Sequence, residues 1–498
     1  MNSKKMLFFH KKYKSSLIIL FIAISIFNLI LAINHEYWRD EAQAWLIARD
    51  CSLTPDSLFT VTSYEGHPFL WFLLLMPFAK LGFPFTVLKY ISWSIMTISL
   101  FVFLLKVNMP SWLKALICIS PIYIYFFTVP ARSYSLASFL IICISIIYNK
   151  RKEYPILYSL LLSMLLQTLI IMGGFVTALG IAWFVETLIC LIKKKSDKRT
   201  LVKNIVGLTI LLSSALFLLW EFRYTTISSS NSYPPSLFEI MRKLAGQYKY
   251  GFEILFGNLY LIAFFLINIS IVGLFISNTK SRIPLLLAGI GILWQTYIYA
   301  YVHPNSSHRL LSWIYLLIFV LIVSYDDLAI YRSPNNIFIS IIIIIYLLLS
   351  WNDNYFNDMV NDLRQDMAYS YSKEVADIIN ELPEDSIILS LSQIHDTSVA
   401  AQIDNKHYIY NIFNDQKSTF FDWNPANHKT LTINEFFEKV QKQFPHSNTI
   451  YAIVANDACD VIGIEEYIQH PHPNISIVYE SSHNYIIEDF TLIAITNM

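Results

Sequence analysis

The sequence predicts a mainly helical, polytopic membrane protein with a small extracytoplasmic α/β domain at its carboxyl end. Three observations carry that prediction. Of 498 residues, 55% are hydrophobic, 15% aromatic and only 14% charged, where soluble domains carry about 25% charged residues. Apolar runs of membrane-spanning length recur along the first 351 residues. The formal charge is zero overall but divides near residue 352: 29 Lys+Arg against 14 Asp+Glu before it, net +15, and 7 against 22 after it, net −15. So acidic a tail repels nucleic acid and anionic membrane surfaces, which excludes both as its partners.

Lys4, Lys5, Lys11, Lys12 and Lys14 precede the first apolar run, 15–33, and no small-residue cleavage site follows it. It reads as a first transmembrane helix with a cytoplasmic amino terminus rather than a cleaved leader. Further spans are predicted at 67–83, 86–106, 134–149, 155–172, 174–192, 201–220, 258–276, 283–302, 310–324 and 336–351. The apolar stretch 110–131 is interrupted by Pro121 and Pro130. The basic loops at 149–152, 193–199 and 280–282 belong inside, and that parity requires two short crossings split near Pro121. A total of 11–13 helices results, with the broken region expected to line a cavity. The loops 34–66 and 221–257, the segment His303–Arg309 and the acidic tail then face outward. In the first of these loops Asp40–Asp50 has helical character, with Ala44, Trp45, Ile47 and Ala48 expected to rest on the membrane surface.

The membrane domain is thus 1–351 and the polar domain 352–498. In the latter, Ser372–Glu381 and Thr432–Phe444 have helical periodicity, and Thr432 with Glu435 fits a capping box. Ile387–Leu391, Thr449–Ala455, Ile475–Tyr479 and Thr491–Thr496 read as strands. This domain contains no glycine-rich phosphate loop. Five cysteines show no paired spacing, although a Cys51–Cys459 disulfide is geometrically open.

Four outward segments hold the chemistry-bearing side chains. Asp40 and Glu41 are adjacent, so on a helix they point about 100° apart and need not share one task; an exposed acidic helix start is the plain alternative. Glu65 and His67 precede Pro68, which suits a first helical turn. His67 could contact a phosphate or sit at the interface. Arg132, followed by Tyr134, opens another helix; its planar fork suits a pair of phosphate oxygens, and snorkelling to lipid is the alternative. His308 and Arg309 close a third outer cluster, whose spacing is no zinc signature and is better suited to an anion. Together these residues place a base among cations. A sugar–phosphate bond requires that mixture: a carboxylate to activate the attacking hydroxyl, and fixed cations for the departing phosphate.

Asp40-Glu41 in the first outer loop, Gly66-His67-Pro68 opening the next helix and Ala131-Arg132-Ser133-Tyr134 opening a later one resemble the GT-C superfamily of polyprenyl-phosphate-dependent glycosyltransferases. The resemblance covers about residues 15–351 and is nearest to the protein-mannosyltransferase and aminoarabinose-transferase branch, the glycosyltransferase family 39-like proteins. It implies sugar transfer from a polyprenyl-phosphate donor to a glycan, lipid or protein acceptor outside a bacterial plasma membrane. Asp40 is then the candidate base, with His67 and Arg132 toward the donor phosphate. Some relatives use a divalent metal at the acid centre, which would implicate Glu41. The chain departs from the common His-Pro-Pro by Phe69, and has Ser133 where proline is frequent. A transporter or flippase of lipid-linked sugars predicts midplane charges and internal repeats, neither of which is evident. A non-catalytic envelope assembly protein leaves Asp40 and Glu41 without a task.

Overall fold

A computed structural model describes residues 3–194, 197–224, 236–277, 282–302, 312–325, 353–455, 459–470, 473–482 and 485–496. Fourteen helices precede residue 326 among these: α1 (Ser3–Asn34), α2 (Arg39–Asp50), α3 (Leu58–Glu65), α4 (Leu70–Lys80), α5 (Val87–Lys106), α6 (Ser111–Cys118), α7 (Tyr134–Tyr148), α8 (Pro155–Leu166), α9 (Gly173–Ile192), α10 (Lys198–Glu221), α11 (Leu237–Phe256), α12 (Tyr260–Ser277), α13 (Arg282–Tyr301) and α14 (Ser312–Tyr325).

Among the described residues, five helical stretches are long and apolar enough to cross a membrane: Ser15–Asn34, Val87–Lys106, Ile170–Ile192, Lys198–Glu221 and Arg282–Tyr301. Shorter apolar helices occur at Leu70–Lys80, Tyr134–Tyr148, Pro155–Leu166, Tyr260–Gly273 and Ser312–Tyr325. The sequence thus locates the apolar helices, and α4, α7 and α8 are shorter than the roughly 17–25 residues a spanning helix needs. The predicted span 336–351 and the cluster with His308 and Arg309 lie outside the described residues. Where the basic loop 149–152 meets α9, Arg151 donates two hydrogen bonds to Glu186, at 3.0 and 2.8 Å, and Lys152 lies 2.7 Å from its other oxygen. That accounts for the one acid within α9.

Two sequence expectations are corrected. The 110–131 stretch breaks as its prolines require, into α6 and a π-helical turn, Ile122–Phe126. However, residues 121–138 are all buried in protein, so this part of the segment is core, while Trp112 and Ile119 before it are exposed. Its freed backbone is satisfied internally; Thr128 Oγ1, for example, donates to the Tyr123 carbonyl at 3.0 Å. Open apolar grooves lie elsewhere. One, of about 990 Å³ partly open to its surroundings, runs between α8, α9 and α10 past Leu166, Gly180, Phe184 and Leu212.

The second correction concerns α2. Every residue from Glu41 to Ala48 is buried: the helix packs against α4 on one side and the C-terminal helix Asp396–Ala400 on the other. Trp45 meets Phe85 at 6.0 Å between ring centroids. The same small and apolar residues that suit a membrane surface suit a protein core better when two elements are on hand to cover them.

Beyond residue 352 the helix Asp353–Arg364 leads into a sheet domain. Its strands are β1 (Ala368–Ser370), β2 (Ile387–Ser390), β3 (Ile409–Asn411), β4 (Gln416–Lys417), β5 (Leu431–Thr432), β6 (Thr449–Ala455), β7 (Val461–Ile462), β8 (Ile475–Glu480), β9 (Tyr485–Glu488) and β10 (Phe490–Thr496). Six form one mixed sheet in the order β4-β3-β2-β6-β10-β8. The parallel pairs β2–β3 and β2–β6 sit at its centre, and β10 runs antiparallel to both β6 and β8. The four predicted strands all occur. Thr432 caps the helix Ile433–Gln443 in the reciprocal pattern expected: Glu435 N–H donates to its hydroxyl at 3.4 Å, and its own N–H donates to the Glu435 carboxylate at 2.8 Å. All five cysteines are free thiols.

One hydrophobic cluster runs through both parts, joining Trp45, Leu46 and Phe72 to Val375, Ile379, Val399 and Leu492. The sheet domain is therefore seated directly on α2 rather than tethered beside it.

Candidate active site

Trp38 precedes α2 and carries no side-chain oxygen, so only half a capping box forms: Glu41 Oε2 accepts the Trp38 N–H at 3.3 Å. Asp40 and Glu41 occupy the first turn, where the helix dipole favours negative charge. From there the two carboxylates diverge.

Asp40 turns to a half-open face. One oxygen forms an ion pair with Arg132 Nη1, and Arg39 Nε stands 3.7 Å from the other. Arg132 Nη2 donates to His67 Nε2 at 3.0 Å. Since that nitrogen accepts, His67 here carries its proton on Nδ1, which faces the Glu65 carbonyl at 3.3 Å and the Glu65 carboxylate at 3.8 Å. The left-handed Gly66 (φ +77°) ends α3 and turns the chain sharply enough to set His67 beside its neighbour. Glu65 Oε2 in turn accepts from Gln43 Nε2 at 3.0 Å. The Asp40 and His67 side chains keep 26% of their exposure and Arg132 keeps 9%, so a ligand can reach the group from one side. Tyr134 is buried. It lies under the Arg132 guanidinium at 5.9 Å and stacks on Phe126 at 4.9 Å, which supports the arginine rather than offering a contact of its own.

Glu41 is sealed. Its Oε1 accepts the Ala131 N–H at 2.6 Å, and its Oε2 lies 3.3 Å from His35 Nε2. His35 Nδ1 is 2.9 Å from Asp362 Oδ2, which also accepts the Tyr125 hydroxyl at 2.7 Å. Burial disfavours charge on His35, but Asp362 and Glu41 on either side outweigh it and hold the imidazole pKa up to about 10. Asp358, one turn away, is pushed up to about 6 by burial and then by the Asp362 charge. As packed, Glu41 offers no free oxygen to a divalent cation, and no group of three metal-ligating side chains occurs among the described residues. The metal-binding expectation for Glu41 does not fit this donor set.

The sheet domain completes the site. Arg39 N–H donates to Glu488 at 3.0 Å and its guanidinium to His395 Nε2 at 3.0 Å. Glu36 accepts the Tyr369 N–H at 2.8 Å. Gln43 exchanges two hydrogen bonds with the Phe421 backbone, both at 2.7 Å. The structure thus brings Asp40, Glu65, His67 and Arg132 together, as the sequence suggests. It adds Arg39, Gln43, His35 and Asp362, which the sequence reading passes over. His35 lies in the same charged stretch as Asp40 and was open to notice. Asp362 was not, because one acid among 22 in the tail carries no mark.

No protein-family model matches this chain, and no curated protein matches it either.

Proposed function

We propose that this protein is an integral-membrane glycosyltransferase of the GT-C type, moving a sugar from a polyprenyl-phosphate donor to an acceptor on the outer side of the membrane. The observation that carries this reading is the half-open Asp40–Arg132–His67 group set among apolar helices. A carboxylate there shares one face with a fork of phosphate-seeking donors.

The arrangement supports a definite sequence. In the resting site Arg132 holds Asp40. An incoming donor phosphate competes for the guanidinium and the His67 ring, and Asp40 is released. The acceptor hydroxyl gives its proton to Asp40 as its oxygen attacks the anomeric carbon. The bond from that carbon to the phosphate oxygen breaks, and the lipid phosphate leaves with the electron pair, its charge met by Arg132 and Arg39. Attack opposite the leaving group inverts the anomeric centre. The donor's isoprenoid tail requires an apolar bed, for which the apolar α8–α10 groove is suited.

The test is transfer from radiolabelled polyprenyl-phosphate sugars in membranes containing the protein. Asp40→Asn is expected to lower the rate by about 100-fold or more, the contribution of a positioned base, with normal expression and unfolding temperature. Full activity in that variant refutes the assignment. Passage of the lipid-linked sugar across the bilayer with no new bond establishes the flippase alternative instead.

A further inference from the structure

Beside the acid site the sheet domain forms a recess that this chemistry leaves unused. It lies between the β3–β4 hairpin, the segment 418–422 and the turn reaching His428. It is a shallow recess, open to solvent on one side, that encloses only about 30 Å³. Its lining is mainly amide, hydroxyl and aromatic, with Asn411, Asn414, Gln416, Thr419 and Phe421 among them, and it also includes Lys417 and His428. Gln43 ties it to the acid site, since the amide bonded to the Phe421 backbone also bonds Glu65, and Gln43 lies one turn from Asp40 along α2.

The chemistry of that lining discriminates among acceptors. Each sugar hydroxyl both donates and accepts, and each carboxamide offers both a donor pair and an acceptor. The Phe421 ring, 4.9 Å from Trp423 and 4.7 Å from His428, gives a fixed aromatic face whose negative charge attracts the C–H edge of a pyranose. Asp422 is occupied by the Asn424 N–H at 2.9 Å and by the Asn427 amide, so it does not make the recess a cation site. A lipid acceptor would require an apolar trough.

Resting on the glycosyltransferase reading, we propose that this recess is the acceptor subsite and that the acceptor is a glycan. A hydroxyl of the held saccharide then points toward Asp40.

The experiment uses full-length protein in detergent and saturation-transfer NMR with glucose, mannose, galactose and N-acetylglucosamine as probes. Wild type is expected to bind at least one of them. The doubly substituted variant Asn414→Ala/Gln416→Ala is expected to lose about tenfold or more in affinity while unfolding at the wild-type temperature, because Gln416 is exposed and Asn414 only half-buried. Undiminished binding in that variant overturns the subsite, as does the absence of saccharide binding. Transfer to a lipid or a peptide, with saccharides failing to compete, likewise overturns it. Saccharide binding that depends on Asn414 and Gln416, in a protein that transfers nothing, leaves the subsite standing and removes the enzyme reading, so the two failures are distinguishable.

Discussion

Asp40 and Glu41 are neighbours of like charge in one helical turn, yet they belong to different regions. Asp40 opens onto a face reached from solvent and is held by the cations Arg132 and Arg39. Glu41 is enclosed, held by a backbone N–H and by a histidine whose other nitrogen faces a second buried acid. The difference follows from the 100° step between them and from what tertiary packing sets on each side. One group of charges remains exchangeable and suits chemistry. The other is fixed, and through His35 and Asp362 it fastens the sheet domain to the acid helix. Fixing Glu41 also fixes Ala131, and with it the approach of Arg132 to Asp40.

The largest expected effect lies on the sealed side. Glu41→Ala strips a charge partner from buried His35 and orphans the Ala131 N–H; breaking such a buried pair costs roughly 3–5 kcal/mol. A large fall in unfolding temperature is expected, in contrast to Asp40→Asn. If Glu41→Ala instead keeps its stability and loses only transfer, the two acids belong to one catalytic group.

Next comes pH. His35 holds its proton up to about pH 10 in the folded chain, against 6.5 ordinarily. Its contribution is therefore fully present below pH 6.5 and is lost as pH rises through 10. The raised Asp358 acts in the same direction, since its neutral form suits the folded state and its ionisation through pH 6 opposes it. Thermal unfolding should thus occur at lower temperature at pH 10 than at pH 6, with a shallower slope in His35→Gln. A profile equally steep in the variant would show that the imidazolium is not the link.

Smaller is the effect of Arg132→Lys on the open side. Lysine cannot hold Asp40 and His67 with one rigid fork. Loss of one hydrogen bond to a charged group, about 1.5–3 kcal/mol, corresponds to a drop in transfer of roughly 10- to 150-fold. Stability should change little, and a collapse in unfolding temperature would move Arg132 into the sealed group.

By itself the sequence determined the apolar helices, the break at Pro121, the acidic α/β tail and the segments that supply Asp40, Glu65, His67 and Arg132. These are local properties: apolar run length, proline geometry, capping residues and alternation are written within a few turns of chain. Whether α2 lay on a membrane or inside the protein was not written there, because Trp45, Leu46 and Ile47 suit either apolar surrounding. Nor was the separation of Asp40 from Glu41. That depended on Asp362, 321 positions beyond Glu41 in the chain, and on the tertiary packing that brings it to His35.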